Sequence, residues 1–167
     1  MILRAAKPSD LTPEEVEAFI AFVGNAGEVN LDTLPALTVR AAILVTLYER
    51  RNLAGTAAIK TPYDGHRRDE FRKAKAGERA DAHPLELGWV VVHPNYRRHG
   101  NGRVLVAAAI EAMTGQGLYA TTKTDSMRRM LPEYGFFVQG EPYRSELNPE
   151  VALTLFCRPA LDSGQQL

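Results

Sequence analysis

The chain has 167 residues, which is enough for one domain with a sizeable buried core. Its hydrophobic fraction of 45% and its charged fraction of 24% are ordinary for a globular protein and exclude a disordered or membrane-embedded chain. A formal net charge of zero provides no overall field that would attract nucleic acid or a membrane surface.

The first residues of the chain and its one cysteine bear on where the protein is expected to be located. The first residues lack the apolar run of a secretion signal, and no segment approaches the roughly 18 apolar residues that span a bilayer. Cys157 has no second cysteine to pair with and stands in a strand-like run, so we expect it to be a buried structural residue. We predict a cytoplasmic protein that forms a single domain over 1–158, with 159–167 as a loose tail.

The N-terminal part predicts a short strand followed by two helices. The strand covers 2–5, and the first helix has a clear start at Thr12, with Pro13 in the first turn and Glu15 completing a T-x-x-E capping box. Apolar residues at helical spacing continue this helix to Gly24, which is predicted to end it. A shorter helical piece follows over 32–40.

The middle of the chain predicts a hairpin and then a long charged segment. Strands over 42–48 and 53–60 are joined by the polar turn 49–52. Residues 61–84 are charge-dense and longer than most loops, and 69–76 can form a short helix within them. The sequence leaves two interpretations of this segment open, a solvated excursion or a lid that faces a substrate.

The C-terminal half predicts the centre of the sheet. Leu85–Val92 alternates two apolar faces, with Glu86 as the exception, which is typical of a central strand. A helix over 102–113, a strand at Leu118–Thr122, a short helix after Asp125 and strands over 135–138 and 152–157 follow. This order predicts an α/β (α+β) fold with a mixed sheet and helices on its faces, not the regular alternation of a dinucleotide-binding fold.

The segment between the central strand and its helix is suited to a phosphate group. Two glycines allow a sharp turn and a close approach to backbone N–H groups at a helix N-terminus, where an anion is favoured. Positive side chains surround them in the run Arg97-Arg98-His99-Gly100-Asn101-Gly102-Arg103. The segment therefore predicts a phosphate or pyrophosphate site.

The glycine spacing distinguishes between the known sequence patterns of phosphate-binding sites. The dinucleotide pattern G-x-G-x-x-G fails because Leu105 occupies the third glycine position, and no Gly-Lys-Ser/Thr follows to complete a P-loop. The remaining pattern, R-x-x-G-x-G after a hydrophobic strand and Val92-His93-Pro94, resembles the acetyl-CoA signature of the GNAT superfamily of N-acetyltransferases. The order of elements along nearly the whole chain, including Gly135-Phe136, is similar to that family too.

The resemblance implies a GNAT-like mixed, mostly antiparallel central sheet of about six to seven strands flanked by helices, with a splayed central strand pair. The pantetheine arm of acetyl-CoA would lie in the gap between these two strands. It would contact backbone groups of Val90, Val91 and Val92, and the pyrophosphate would lie at Arg97 to Arg103. Asp125, at the start of the short helix, would flank the CoA arm, although the family often has Asn there; Thr124 or Asp125 can cap the helix.

Glu86 is the predicted general base. An amine must lose a proton to attack a thioester, and a carboxylate on an apolar central strand can accept that proton. Glu86 also stands eleven residues before Arg97, a spacing at which many GNAT enzymes carry a catalytic glutamate. The alternative is a carboxylate at the wet edge of the sheet or paired with a loop arginine. His83 and His93 are lesser candidates.

The general acid is not apparent from the sequence. Many GNAT enzymes place a tyrosine five residues before the phenylalanine of Gly135-Phe136, and Leu131 occupies that position here. Tyr119, Tyr134 and Tyr143 lack the spacing and are predicted to be packing tyrosines. Water can protonate the leaving thiolate instead.

Two function classes follow from these patterns. The first is an N-acetyltransferase that moves the acetyl group of acetyl-CoA to a primary amine of a small molecule or protein by direct attack in a ternary complex. The second is a non-catalytic acyl-CoA-binding or interaction module that kept the fold and lost the acid. We expect no metal, nucleic-acid or membrane partner, and the family resemblance is compatible with a homodimer.

Overall fold

The computed structural model describes residues 1–161, so residues 162–167 of the predicted tail lie outside the described part. Eight strands occur among the described residues: β1 (Ile2–Ala6), β2 (Ile43–Glu49), β3 (Asn52–Lys60), β4 (Leu85–Val92), β5 (Leu118–Thr122), β6 (Phe137–Val138), β7 (Tyr143–Arg144) and β8 (Ala152–Arg158). The same part of the chain contains five α-helices: α1 (Pro13–Ala26), α2 (Leu34–Arg40), α3 (Asp64–Lys73), α4 (Asn101–Ala112) and α5 (Asp125–Met130). None of these helices has the length and apolarity needed to cross a membrane.

The chain divides into two compact units, the first of which comprises Met1–Thr61 and Leu87–Met113. Its strands are ordered β1-β2-β3-β4, and β1, β2 and β3 pair antiparallel. The β2–β3 hairpin predicted from the sequence is confirmed, and its turn is closed by the pair Glu49↔Asn52. Helix α4 packs on β2 and β3, and α1 packs on α2 and β3. The buried core of this unit centres on Phe19 and Leu44.

Helix α1 begins as its sequence predicts. The hydroxyl of Thr12 accepts from the backbone N–H of Glu15 at 3.2 Å, and the Glu15 carboxylate accepts from the N–H of Thr12 at 2.8 Å. The predicted end was wrong, because α1 continues through Gly24 and its C-cap is Gly27, at a φ of 79°. Gly24 has a packing role instead: a Cβ there would lie 3.2 Å from the side chain of Leu31.

The capping box provides a stability test. Replacing Thr12 by alanine should lower the free energy of unfolding by about 1 kcal/mol, because one N-terminal N–H of α1 loses its acceptor. The matched control is Thr33→Ala, since Thr33 precedes α2 and makes no side-chain capping bond. Urea denaturation followed by circular dichroism measures both; equal losses in the two variants would contradict the assignment.

The second unit comprises Pro62–Glu86 and the chain from Thr114 onward. Its strands are ordered β4-β5-β8-β6, with β7 also paired to β8. The β4–β5 pair is parallel and its register covers only Leu85↔Leu118 and Glu86↔Tyr119, whereas β8 pairs antiparallel with β5, β6 and β7. The predicted mixed, mostly antiparallel sheet is thus confirmed, and the short parallel register is what a splayed pair requires. The two-residue strand β7 was not predicted.

One side of the charged segment 61–84 is packed, and the other is exposed to solvent. Helix α3 begins five residues before the predicted short helix, and Phe71 on it is fully buried at the centre of the second core. The Arg67 side chain is buried as well and donates to the backbone carbonyl of Ala80 at 2.6 Å. This packing was not apparent from the sequence, because most residues of α3 are charged and Phe71 is its one large apolar residue.

Candidate active site

The glycine turn of the first unit is exposed and partly left-handed. Residues 97–100 are exposed to solvent, and Arg98 and Gly100 have φ angles of 65° and 77°. Gly100 is the N-cap of α4 and accepts there from the N–H of Val104 at 3.2 Å. A Cβ built on Gly100 would meet no atom within 4 Å, so the space beside this residue is open.

Neighbouring side chains hold the turn in place. The Asn101 side chain is buried and donates from Nδ2 to the carbonyl of Tyr96 at 2.8 Å. Arg97 donates from Nε to the carbonyl of Val92 at 3.0 Å and so connects the turn to the end of β4. Leu105, one turn further along α4, is fully buried and anchors the start of the helix in the core. Asn101 therefore contributes by fixing the turn with its side chain, a role that the glycine pattern did not reveal.

The start of α4 can bind an anion. The N–H groups of Asn101 and Gly102 precede the first bond of the helix, Val104 to Gly100, at positions where an α-helix provides no carbonyl one turn earlier. Together with the helix dipole they favour a negative charge beside Gly100. Arg98 and His99 add exposed basic side chains on the same turn. These residues fit the pyrophosphate contact that the sequence predicts.

Backbone groups at the end of β4 alternate between its two edges. The N–H of His93 donates to the carbonyl of Ala54 on β3 at 2.9 Å. Because backbone groups of successive residues point to opposite edges of a strand, Val91 faces β3 as His93 does. Val90 and Val92 face the other edge. Of the three predicted valines, Val90 and Val92 have the orientation for a backbone contact with a pantetheine arm.

Trp89 interrupts the regular alternation predicted for β4. Its φ is 50°, a left-handed value that typically costs an L-residue about 1–3 kcal/mol. The Thr56 hydroxyl donates to the Trp89 carbonyl at 2.9 Å, and the indole packs edge-on against Phe19. These contacts hold Trp89 in this conformation. The prediction of two faces alternating through Val92 was wrong at this residue, because left-handed backbone breaks the period of two.

Glu86, the predicted base, is buried in the second unit with 7% of its surface exposed. The hydroxyl of Tyr119 donates to its Oε2 at 3.2 Å. Burial, followed by the charge of Glu86, raises the pKa of Tyr119 far above its usual value, so this hydroxyl stays protonated and acts as a donor. The wet-edge alternative for Glu86 is excluded by its burial.

A second buried carboxylate–tyrosine pair was missed by the sequence analysis. Tyr143 donates to Oε2 of Glu70, and burial and then the Glu70 charge raise the pKa of that hydroxyl. Phe71 lies beside both pairs in the chain and in space: it follows Glu70, and its ring is edge-on to Tyr119 with centroids 5.1 Å apart. No local signal marked Glu70, since it stands among other charged residues of α3.

Comparison with known proteins identifies the family. A model of the acetyltransferase (GNAT) family matches residues 8–136 of this chain. The chain belongs to the GNAT family. A search of curated protein sequences found no match.

Several solved structures have a fold similar to that of this chain. ElaA from Escherichia coli is similar at 14% identity with a TM-score of 0.71. An acyl-CoA N-acyltransferase from Pseudomonas aeruginosa is similar at 16% identity with a TM-score of 0.69, and each of these two comparisons covers 94% of this chain and 98% of the other. The structure of yncA from Salmonella typhimurium with its cofactor acetyl-CoA is similar at 19% identity and a TM-score of 0.60, over 98% of both chains.

Two positions depart from the GNAT pattern. Leu131 occupies the position at which many members have a tyrosine that acts as the general acid. Its side chain is fully buried and has no proton to donate. At the start of α5 it is Thr124 whose hydroxyl caps the helix, accepting from the N–H of Met127 at 3.3 Å. Asp125 is exposed and pairs with Arg128 at 3.0 Å, so it lies at the helix start as predicted but takes no part in the cap.

The remaining candidate residues of this GNAT chain have structural roles. His93 accepts from the N–H of Asn95 at 3.2 Å, and His83 is buried with Nδ1 2.8 Å from the Arg79 carbonyl. Cys157 is buried, as predicted, and burial raises the pKa of its thiol to about 12, so it is not a thiolate at neutral pH. Within residues 1–161 no three His, Cys, Asp or Glu residues converge to hold a metal ion.

Proposed function

We propose that this chain is an N-acetyltransferase that moves the acetyl group of acetyl-CoA to a primary amine in a ternary complex. The observation that carries the proposal is the exposed left-handed turn at Arg98–Gly100, which leads directly into the N-terminus of α4. Membership of the GNAT family supports it, and so does the acetyl-CoA found with yncA. A cytoplasmic location, a single domain over 1–158 and a homodimer remain predictions from the sequence.

The proposed acetyl-CoA site uses the residues around this turn. The pyrophosphate is bound by backbone N–H groups from Gly100 to Arg103 and by the basic side chains of Arg98 and His99. Val90 and Val92 offer backbone groups to the pantetheine arm, and Asp125 keeps the role of flanking the CoA arm that the family resemblance implies. The open space beside Gly100 is what a phosphate group needs in order to approach the backbone this closely.

Glu86 is the proposed general base. A lysine-like amine has a pKa near 10.4 and is mostly charged at neutral pH, so it must lose a proton as it attacks. The nitrogen bonds to the thioester carbonyl carbon, Glu86 takes the proton directly or through water, and the carbon–sulfur bond breaks as the tetrahedral intermediate collapses. The nitrogen loses its second proton to water as the amide forms, and the CoA thiolate takes a proton from water, because Leu131 supplies none.

A non-catalytic acyl-CoA-binding module is the second candidate. The buried Leu131 at the usual acid position favours it. Both candidates predict that the chain binds acetyl-CoA, and only the first predicts transfer of the acetyl group to an amine. The carboxylate of Glu86, the one acidic residue on an otherwise apolar strand, is the feature to which the first candidate gives a chemical role.

Calorimetry and a thiol-release assay test the proposal in sequence. We expect the purified protein to bind acetyl-CoA with a dissociation constant in roughly the micromolar range. A panel containing a polyamine, an aminoglycoside, a lysine peptide and a free peptide N-terminus should then release CoA thiol with at least one acceptor. Binding with no acceptor accepted would favour the binding module, and absence of binding would overturn both candidates.

A further inference from the structure

The segment between β4 and the glycine turn is a single turn of 3-10 helix, Pro94–Tyr96. Pro94 has no N–H to donate, and the N–H of Tyr96 donates to the His93 carbonyl at 2.8 Å. The first N–H groups of any helix have no carbonyl within that helix to bond. The N–H of Asn95 therefore depends on an acceptor from a side chain or from water.

The imidazole of His93 is that acceptor. Its Nδ1 accepts from the N–H of Asn95, two residues further along the chain, at 3.2 Å. An Asn or Asp side chain makes the same bond in an Asx turn. Because the donor is a backbone N–H, Nδ1 must carry a lone pair, and the proton of the neutral ring lies on Nε2. Neither nitrogen can act as a general base while this bond is kept, so the geometry favours a role for His93 other than proton transfer.

The contacts of His93 connect the sheet with the start of α4. Its backbone N–H donates to the Ala54 carbonyl of β3 at 2.9 Å. Its ring lies beside that of Tyr96, with centroids 5.8 Å apart and planes tilted by 56°. The carbonyl of Tyr96 in turn accepts from Nδ2 of the buried Asn101, the first residue of α4, at 2.8 Å. A continuous series of contacts thus runs from β3 through residues 93–96 to the helix that begins at the glycine turn.

The glycine turn needs such support because part of it is strained. Arg98 has a φ of 65°, a left-handed value that an L-residue keeps only where the surrounding structure holds it. The preceding residue, Arg97, donates from its N–H to the Pro94 carbonyl at 3.4 Å and from Nε to the Val92 carbonyl at 3.0 Å. Both contacts depend on the path that the chain takes through the 3-10 turn.

We propose that His93 is a positioning residue for acetyl-CoA, because its Nδ1 fixes the path of the chain after β4 and so holds the turn Arg98–Gly100 in the form that receives the pyrophosphate. The inference rests on the proposed binding of acetyl-CoA at this turn. Without the bond to Asn95, the turn spends part of its time in other conformations. The apparent affinity for acetyl-CoA falls in proportion to the fraction that is lost.

Calorimetric titration of His93→Ala and His93→Asn with acetyl-CoA tests the proposal. Alanine removes the acceptor, so the dissociation constant should rise roughly 3- to 10-fold, which corresponds to the usual net contribution of one hydrogen bond. Asparagine before a proline can accept from the same N–H, so His93→Asn should bind as tightly as the wild type. Equal weakening in the two variants, or wild-type affinity in His93→Ala, would overturn the proposal.

Thr12→Ala controls for the loss of a cap elsewhere in the same unit. The Thr12 hydroxyl accepts from the N–H of Glu15 at 3.2 Å, the distance of the bond that His93 accepts. Both substitutions deprive a backbone N–H at a helix start of its side-chain acceptor, so a general loss of stability is common to them. Only His93→Ala should weaken acetyl-CoA binding. An equal loss of affinity in Thr12→Ala would overturn the positioning role.

Kinetic constants distinguish positioning from proton transfer. In the thiol-release assay, His93→Ala should raise the KM for acetyl-CoA and leave kcat unchanged at saturating acetyl-CoA. With S-acetylpantetheine, a thioester donor that lacks the pyrophosphate, this variant and the wild type should have equal kcat/KM. A lower kcat with an unchanged KM would overturn the proposal and indicate that His93 transfers a proton.

The same titrations separate this inference from the proposed function. If the wild-type protein does not bind acetyl-CoA, the proposed function fails and the role of His93 fails with it. If the wild type binds, Gly100→Val does not bind and His93→Ala keeps full affinity, the pyrophosphate site stands and only the positioning role is overturned.

Discussion

Replacing Gly100 by valine is expected to abolish measurable acetyl-CoA binding. The residue has a φ of 77°, where an L-residue is strained by roughly 1–2 kcal/mol and a β-branched one by more. A side chain here would also enter the open space in which the pyrophosphate must approach the N-terminus of α4. Calorimetric titration with acetyl-CoA measures the loss.

Gly27→Val is the matched control for this substitution. Gly27 has a φ of 79°, its added Cβ would likewise meet nothing within 4 Å, and it lies in the same unit at the end of α1. Its ψ of −178°, against 3° at Gly100, makes a valine at least as strained there, and it lies outside the glycine turn. Wild-type affinity is expected for this variant. Equal loss of affinity in both variants, or normal binding by Gly100→Val, would contradict a pyrophosphate site at the turn.

The second large effect is expected from Glu86→Gln. The amide has nearly the shape of the carboxylate but cannot accept the proton of the amine, so kcat should fall by about 10² to 10⁴. Acetyl-CoA binding should be unchanged, because Glu86 is not among the residues proposed to bind the nucleotide. The rate of thiol release with the best acceptor, at saturating acetyl-CoA, gives kcat directly.

Glu70→Gln controls for the loss of a buried charge. Glu70 is as buried as Glu86 and accepts from a tyrosine in the same way, so the structural consequences of the two substitutions are comparable. Its kcat should stay close to that of the wild type. A general base elsewhere in the protein would be indicated if Glu86→Gln were fully active, or if both variants were slowed alike.

Local patterns were sufficient for much of the architecture. Strands β4 and β5 have the predicted bounds, since their β-branched and apolar runs leave little alternative. The capping box at Thr12 was also predictable, because its bonds join residues three apart. The end of α1 was not, because Gly24 and Gly27 both have the residue type of a stop signal and packing against Leu31 decides between them.

The residues of the candidate site were likewise predictable only where they are neighbours along the chain. The glycines and arginines of the pyrophosphate turn are contiguous, so the motif and its position before α4 could be read from the chain. The bond from Tyr119 to Glu86 joins residues 33 apart, and that from Tyr143 to Glu70 joins residues 73 apart. Neither spacing has a periodicity, since strand pairing and the packing of Phe71 bring these side chains together.

The sequence by itself determined the family signature, the central strand, the turn and the candidate base, because each depends on residues that are neighbours along the chain. Only the tertiary structure decided that α3 is packed, that Trp89 is left-handed and which hydroxyl holds which carboxylate. Burial creates these last features, because a carboxylate removed from water needs a donor and the nearest donor depends on the register between strands.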